Sequence, residues 1–275
     1  KTTTFKMLTG LVNPDRGDAR IQGKNLMKYR WGYMKSMGFC PQSDGLLESM
    51  TGEKLLELFG ALRGLNGENL KTAVQKWLEI MDMDRIKDRR CGEYSGGNKR
   101  KLSVAMSLIG NPSVVFLDEP TTGVDPVVRR KLWSLFKRNQ TLGTTFILTS
   151  HSLDESEALC DRVTIMAGGY MKCLGPIGQL KLTYAAGFRM IVRMKITSTE
   201  EDVAEIIRSL DKKFQSSYLL KEEQPLLLSF EITKKDMLWS ERFEFINKLK
   251  SHVPQINDIV ISDSSLEEVY YNVTH

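Results

Sequence analysis

The run Val114-Val115-Phe116-Leu117, closed by Asp118-Glu119-Pro120, constrains this 275-residue chain more than any other feature. Four consecutive apolar residues leave neither face of a strand for water, so they call for the interior of a parallel sheet covered on both sides. Thr145-Phe146-Ile147-Leu148-Thr149 has the same character and ends in Ser150-His151, and a helical pattern with Leu132, Leu135 and Phe136 lies between the two. Strands that deliver acidic, hydroxyl and imidazole side chains at their carboxyl ends predict an α/β sheet with its chemistry along that edge.

The rest of the chain fits around this frame. Phe5 to Leu11 reads as a short helix ending near Gly10, and Pro14-Asp15-Arg16-Gly17 as a turn. Residues 18–22 alternate as a short strand that stops at Gly23, and Met37-Gly38-Phe39-Cys40 is a second strand leading into Pro41-Gln42. From residue 51 to 108 the period is helical. Leu55, Leu58, Phe59 and Leu62 share one face, then Leu70, Val74, Trp77, Leu78 and Met81, then Leu102, Ala105, Met106 and Ile109 after Ser95. Past residue 182 the texture changes to strand 188–197, helix 200–214, strand 226–232, helix 240–249 and strand 256–261. This β-α-β-α-β pattern predicts a separate small α+β domain, with Lys181-Leu182-Thr183 and Gly187 at the junction.

Composition removes several classes of function. The longest apolar runs fall well short of the roughly 20 residues of a spanning helix, so residues 1–275 are not expected to cross a bilayer. Thirty-nine basic against thirty-four acidic residues leave +5, too mild a charge to point to nucleic acid. Four cysteines form no Cys-x-x-Cys pair and only three histidines exist, which speaks against structural zinc and for isolated thiols in a reducing compartment. The chain opens on Lys1-Thr2-Thr3-Thr4, with neither Met nor a leader.

Five short motifs carry the chemistry. Lys1-Thr2 matches the last two positions of the phosphate loop G-x-x-x-x-G-K-[ST], in which the lysine meets the β- and γ-phosphates and the hydroxyl a Mg²⁺ ion. On its own this pair reads as a solvated terminus. Asp118-Glu119 at a strand end suits a cation and an attacking water, or else a charged turn. Tyr94-Ser95-Gly96-Gly97-Asn98 supplies an N-cap hydroxyl and unhindered N–H groups at a helix start, a place for an anion or else an ordinary capped loop, and the adjoining Lys99-Arg100-Lys101 is compatible with no more than a solvated face. Gln42 and His151 each come just after a strand.

In this order and spacing, with Asp125 between Glu119 and His151, the set resembles the ATP-binding cassette (ABC) ATPase family over residues 1 to about 180. The resemblance implies an α/β P-loop core, incomplete here, over residues 1–182 with a helical signature subdomain at about 43–110, then a C-terminal regulatory α+β domain over 187–275. It makes Lys1 and Thr2 the end of the Walker A motif, Thr3 an α-phosphate contact, and Gln42 the Q-loop glutamine next to the transmembrane coupling surface. Ser95, Gly96 and Gly97 become the signature that closes on nucleotide held by a partner cassette. Asp118 becomes the Walker B acid, Glu119 the catalytic base, Asp125 a D-loop residue and His151 the switch histidine. ATP and Mg²⁺ are then the implied ligands, the ion held by Thr2, Gln42 and Asp118. Tyr94 and Asn98 depart from the common Leu-Ser-Gly-Gly-Gln.

The strings Cys40-Pro41-Gln42, Tyr-Ser-Gly-Gly-Asn-Lys-Arg-Lys-Leu-Ser and Val-Phe-Leu-Asp-Glu-Pro-Thr-Thr-Gly-Val-Asp-Pro are similar to subfamily A, and most of all to the second cassette of its full-length lipid transporters. That implies a cytosolic-face motor paired head-to-tail with another cassette and joined to transmembrane domains, with lipid as substrate and no nucleic acid. A chain cut inside its phosphate loop is expected to bind ATP poorly and hydrolyse almost none. The alternatives are a separate ATPase subunit of a bacterial-type exporter, a soluble non-transport ABC ATPase, and a catalytically dead regulatory cassette. The presence of Gln42, Glu119 and His151 speaks against the last.

Overall fold

The computed structural model describes residues 1–185, 187–215, 217–224, 226–233 and 237–274, and divides them into two compact units that meet between Glu155 and Ser156. The first unit runs α1 (Thr2–Leu8), β1 (Arg20–Ile21), β2 (Lys24–Asn25), α2 (Arg30–Lys35), β3 (Met37–Cys40), α3 (Gly52–Leu62), α4 (Gly67–Ile80), α5 (Gly96–Leu108), β4 (Val114–Asp118), α6 (Pro126–Thr141) and β5 (Thr145–Thr149). Helix α7 (Leu153–Leu159) bridges the division.

The expected parallel sheet is there, in the order β3-β4-β5, but of the two apolar runs only β4 is buried as expected: β5 is an outer strand of the three, and its Ile147 is exposed. Parallel pairing sets Cys40 opposite Leu117 and Asp118 opposite Thr149, so the three strands end together. Successive side chains of β4 point to opposite faces, which is why an unbroken apolar run is needed. On one face Phe116 meets Phe5 of α1 edge-on, with ring centroids 5.6 Å apart at 79°. Tyr33 of α2 donates its phenol hydrogen to the Leu8 carbonyl at 2.8 Å, fixing the end of α1. On the other face α5 lies so close that any side chain at Gly38 would collide with it. Helix α5 is buried from Arg100 to Leu108, nine residues in a row, and so forms the central post of the unit rather than a surface helix. Helix α3 packs beside it and α4 packs on α3, with Leu55, Leu56, Trp77 and Leu78 buried. The strand expected at 18–22 is shorter: a two-residue hairpin arm, because Gln22 and Gly23 already adopt positive φ and turn the chain.

The second unit continues with β6 (Arg162–Ala167), β7 (Tyr170–Pro176), α8 (Ile177–Tyr184), β8 (Phe188–Met194), α9 (Glu200–Phe214), β9 (Tyr218–Gln224), β10 (Leu227–Ile232), α10 (Trp239–His252), β11 (Ile256–Asp263) and α11 (Leu266–Thr274). Sequence texture puts a junction at 182–187, whereas by compactness β6, β7 and α8 group with the elements from β8 to α11. Helix α11 ties them together: Asn272 donates to the Tyr184 carbonyl at 2.9 Å and the Leu266 N–H to Glu157 at 2.8 Å. From β8 onward the order is β-α-β-β-α-β, with a four-stranded antiparallel sheet β11-β8-β10-β9. The added strand, β9, is absent from the pattern expected of the sequence. It lies at the sheet edge and carries Lys221-Glu222-Glu223, a charged composition typical of an edge and without an alternating pattern. Met190, Val192 and Met194 share the core face as expected, joined by Ile206, Leu210, Phe230 and Ile246.

Glu268 of α11 has one carboxylate oxygen, Oε2, buried with no hydrogen-bond partner among the described residues. Burial pushes its carboxyl above the ordinary range and the charge of Glu231 adds to this, while Ser264, the Ser265 N–H and Lys221 oppose it. The folded state therefore keeps a proton that the unfolded chain has released, and stability falls as pH rises from the ordinary glutamate range through the raised folded value.

Both features can be read in stability. Replacing Gly38 with Ala puts a methyl 2.0 Å from the Ser107 carbonyl oxygen. Overpacking of this kind costs about 1–3 kcal/mol, readable in urea denaturation; a wild-type midpoint would contradict the β3–α5 packing. Glu268→Gln is predicted to flatten the loss of stability on going from about pH 4 to 8. Identical pH slopes for both proteins would show that Glu268 does not titrate in this way.

Candidate functional site

The ends of β4 and β5 and the start of α1 bring Lys1, Asp118, Glu119 and His151 into one cluster. Glu119 is 4% exposed, yet its carboxylate has four donors around it. Oε1 lies 3.3 Å from Lys1 Nζ and 3.1 Å from His151 Nε2. Oε2 lies 3.3 Å from the His151 backbone nitrogen and 3.2 Å from the Thr122 hydroxyl. Lys1 Nζ also donates to the Ser150 carbonyl at 3.0 Å and stands 3.3 Å from His151 Nδ1. An ammonium has only hydrogens to offer, so Nδ1 acts as acceptor and the ring hydrogen sits on Nε2, directed at Glu119. The imidazole is 75% exposed, so it forms the open side of the cluster and Glu119 the floor.

Glu119 has φ +53°, a left-handed conformation that is uncommon for a residue with a side chain. Such strain costs on the order of 1–3 kcal/mol and persists where neighbours over-determine it. Here the Glu119 N–H meets the Thr149 carbonyl at 3.2 Å and its hydroxyl at 3.1 Å. The same hydroxyl donates to Asp118 Oδ1 at 2.5 Å, so Thr149 holds both acids, one by carboxylate and one by backbone.

The other expected residues sit nearby in different roles. Gln42 is exposed just beyond β3, and its backbone carbonyl is tied to the Glu119 turn through Arg100. Thr2 and Thr3 occupy the first turn of α1. Ser95 caps α5 by accepting the Asn98 N–H at 3.4 Å. Asp125 caps α6, accepting the N–H groups of Val127 and Val128 at 3.0 Å each. A Cβ on Gly97 would lie 3.9 Å from Asp125 Oδ2, so these two helix starts adjoin. Gly96 faces open space. Among the described residues, no hydrogen bond joins Ser95, Gly96 or Gly97 to the Lys1–Glu119–His151 cluster.

The basic stretch after the glycines is not a solvated face. Arg100 is 3% exposed and Lys101 is buried, because α5 is enclosed by the sheet and by α3. Burial pulls the Lys101 ammonium below the usual lysine range. Lys99 reaches Glu48 at 3.0 Å. Motif and pattern alone also pass over Thr149 and Glu155. Thr149 becomes legible once the two apolar runs are set in parallel, since it falls opposite Asp118. Glu155 is buried and accepts from the Thr121 hydroxyl at 2.7 Å, the Ser150 hydroxyl at 2.6 Å and the Trp133 indole at 3.0 Å. It fastens the loop that carries His151 to the segment after Glu119. An acid four residues beyond His151, on a helix, is the available signal.

Residues 1–122 match the family model described as ABC transporter. The human phospholipid-transporting ATPase ABCA3 is 37% identical over the whole chain, which spans 16% of that relative. Human ATP-binding cassette sub-family A member 2 is 38% identical over 99% of the chain and 11% of its own length. The Arabidopsis thaliana ABC transporter A family member 3 is 38% identical over 99% of the chain and 29% of its own. The chain thus spans less than a third of each of these relatives. Among solved structures, an ATP-binding subunit of an ABC transporter aligns at a TM-score of 0.62 and 26% identity, over 66% of this chain and 75% of that one. A dimeric ATP-binding cassette in a post-hydrolysis state, bound to ADP and Pi, aligns at 0.58 and 19% identity over 64% and 79%. The second likeness is one of fold.

Thr149→Val keeps the size of the side chain and removes its hydroxyl. It deprives the buried Asp118 carboxylate of its donor and is predicted to cost about 1–3 kcal/mol in chemical denaturation. An unchanged midpoint would mean that the hydroxyl does not hold the two acids.

Proposed function

We propose that this chain, whose residues 1–122 match the ABC transporter family, is the ATP-hydrolysing cassette of a subfamily A transporter that moves phospholipid across a membrane. The observation that carries the reading is the Glu119 carboxylate, buried at a strand end and ringed by Lys1, His151 and Thr122. A carboxylate so placed would take a proton from a water aligned with the γ-phosphorus of ATP. The water oxygen bonds to that phosphorus, the bond to the β–γ bridging oxygen breaks, and ADP and phosphate leave while Glu119 holds the proton. Lys1 supplies positive charge to the phosphate oxygens, and the exposed His151 Nε2–H can turn from Glu119 to the transferring group.

The donors available to Mg²⁺ are the Thr2 hydroxyl, the Gln42 amide oxygen and the Asp118 carboxylate, all hard oxygen ligands of the kind this ion takes. No group of three or more His, Cys, Asp or Glu side chains able to hold a metal occurs among the described residues. When bound, Mg²⁺ neutralises charge developing on the phosphates.

Ser95, Gly96 and Gly97 stand at a capped, unobstructed helix start with Asp125 beside them. Since they do not join their own Lys1 cluster, we assign them to nucleotide held by a second cassette, paired head-to-tail. No described helix is long and apolar enough to cross a membrane, so the spanning segments would belong to other parts of the transporter, with this cassette on the cytosolic face. The phospholipid class rests on the relatives named as phospholipid-transporting ATPases. The C-terminal sheet and its helices, residues 187–275, would regulate closure of the pair.

In the complete transporter, Glu119→Gln is predicted to retain ATP binding while phosphate release slows about 10²–10⁴-fold. Near-normal turnover would remove Glu119 from this role. In reconstituted liposomes, labelled phospholipid should cross only with ATP; transport of no lipid by a hydrolytically active protein would overturn the substrate class.

A further inference from the structure

We infer that Arg100 is a positioning residue for hydrolysis, a clamp that locks the Glu119 turn and the Gln42 loop to the helix beginning at Ser95-Gly96-Gly97. The inference deepens the reading above and rests on it. A guanidinium has five N–H donors. Those of Arg100 go to five backbone carbonyls: Nε to Pro120 at 2.8 Å, Nη1 to Pro41 at 2.6 Å and Gln42 at 3.3 Å, Nη2 to Asp118 and Glu119 at 2.8 Å each. Its carboxylate neighbour, Asp44, stands farther off at 3.6 Å. The side chain is thus engaged mainly by neutral oxygens, which demand its shape as much as its charge.

These carbonyls come from the ends of two adjacent parallel strands, β3 and β4, and three of them belong to consecutive residues. Asp118, Glu119 and Pro120 can present their oxygens to one planar group because Glu119 turns the chain at φ +53°. Thr149 holds the N–H side of that residue and Arg100 its carbonyl side. The strained backbone that aims the Glu119 carboxylate is therefore fixed from both ends. The same guanidinium fixes the carbonyl of Gln42, so a shift of α5 moves both loops as one body.

A lysine offers three donors from a single atom and cannot span Pro41 and Pro120 together. Arg100→Lys keeps the charge and most of the stem, and so tests geometry. In the complete transporter it is predicted to stay folded with a lowered thermal midpoint, because carbonyls are left without a donor, and to keep a KM for ATP within about twofold while kcat falls at least about tenfold, since displacement by a fraction of an ångström is enough. Combined with Glu119→Gln it should produce little further loss in single-turnover hydrolysis, because the carboxylate it aims is already gone. Arg100→Gln serves as a second variant and should fall further in kcat than the lysine form. Wild-type kcat in Arg100→Lys would overturn the clamp. So would a loss in kcat that repeats in full on the Glu119→Gln background, the mark of general destabilisation. Absence of ATPase in the wild-type transporter would instead overturn the assignment of function itself.

Discussion

Strand β4 is flanked by β3 and β5 and covered by α1 on one face and α5 on the other, so its end has almost no freedom. The left-handed turn at Glu119 is the consequence on which the site depends. An isolated chain would relax it. Here Thr149 from the neighbouring strand and Arg100 from the helix behind take up its backbone groups, and the carboxylate is left to face Lys1 and His151.

The same economy of position explains how buried acids are accommodated. A carboxylate out of water is costly unless its lone pairs are met. Glu119 has four donors, one of them an ammonium, and Asp118 has the Thr149 hydroxyl. Glu155 repeats the arrangement a short distance away, with two hydroxyls and an indole. Buried acids of this unit thus fasten the loops after β4 and β5 to each other, and these loops bear groups that would meet a nucleotide.

The second unit is built on different terms. Its antiparallel sheet from β8 to β11 carries one apolar face under α9 and α10. Helix α11 folds back to α8, and places Glu268 near Glu231, a pairing of like charges that weakens the unit as pH rises.

Much of this was legible in the linear chain. Apolar runs at 114–117 and 145–149 announced the parallel strands, and glycine with a hydroxyl cap announced α5. These are local signals, carried by neighbours within a few residues. The edge strand β9 escaped because its residues are charged and unpatterned. Nothing local marks Arg100 or Glu155 as buried, because their partners lie far along the chain: Pro41 is 59 residues from Arg100 and Thr121 is 34 from Glu155. The amino-acid sequence by itself determined which elements form and in what order the chemical groups arrive. Only the tertiary structure decided that a basic and an acidic side chain would be enclosed as fasteners of the Glu119 turn, since enclosure depends on strand register and helix packing between segments that no local pattern connects.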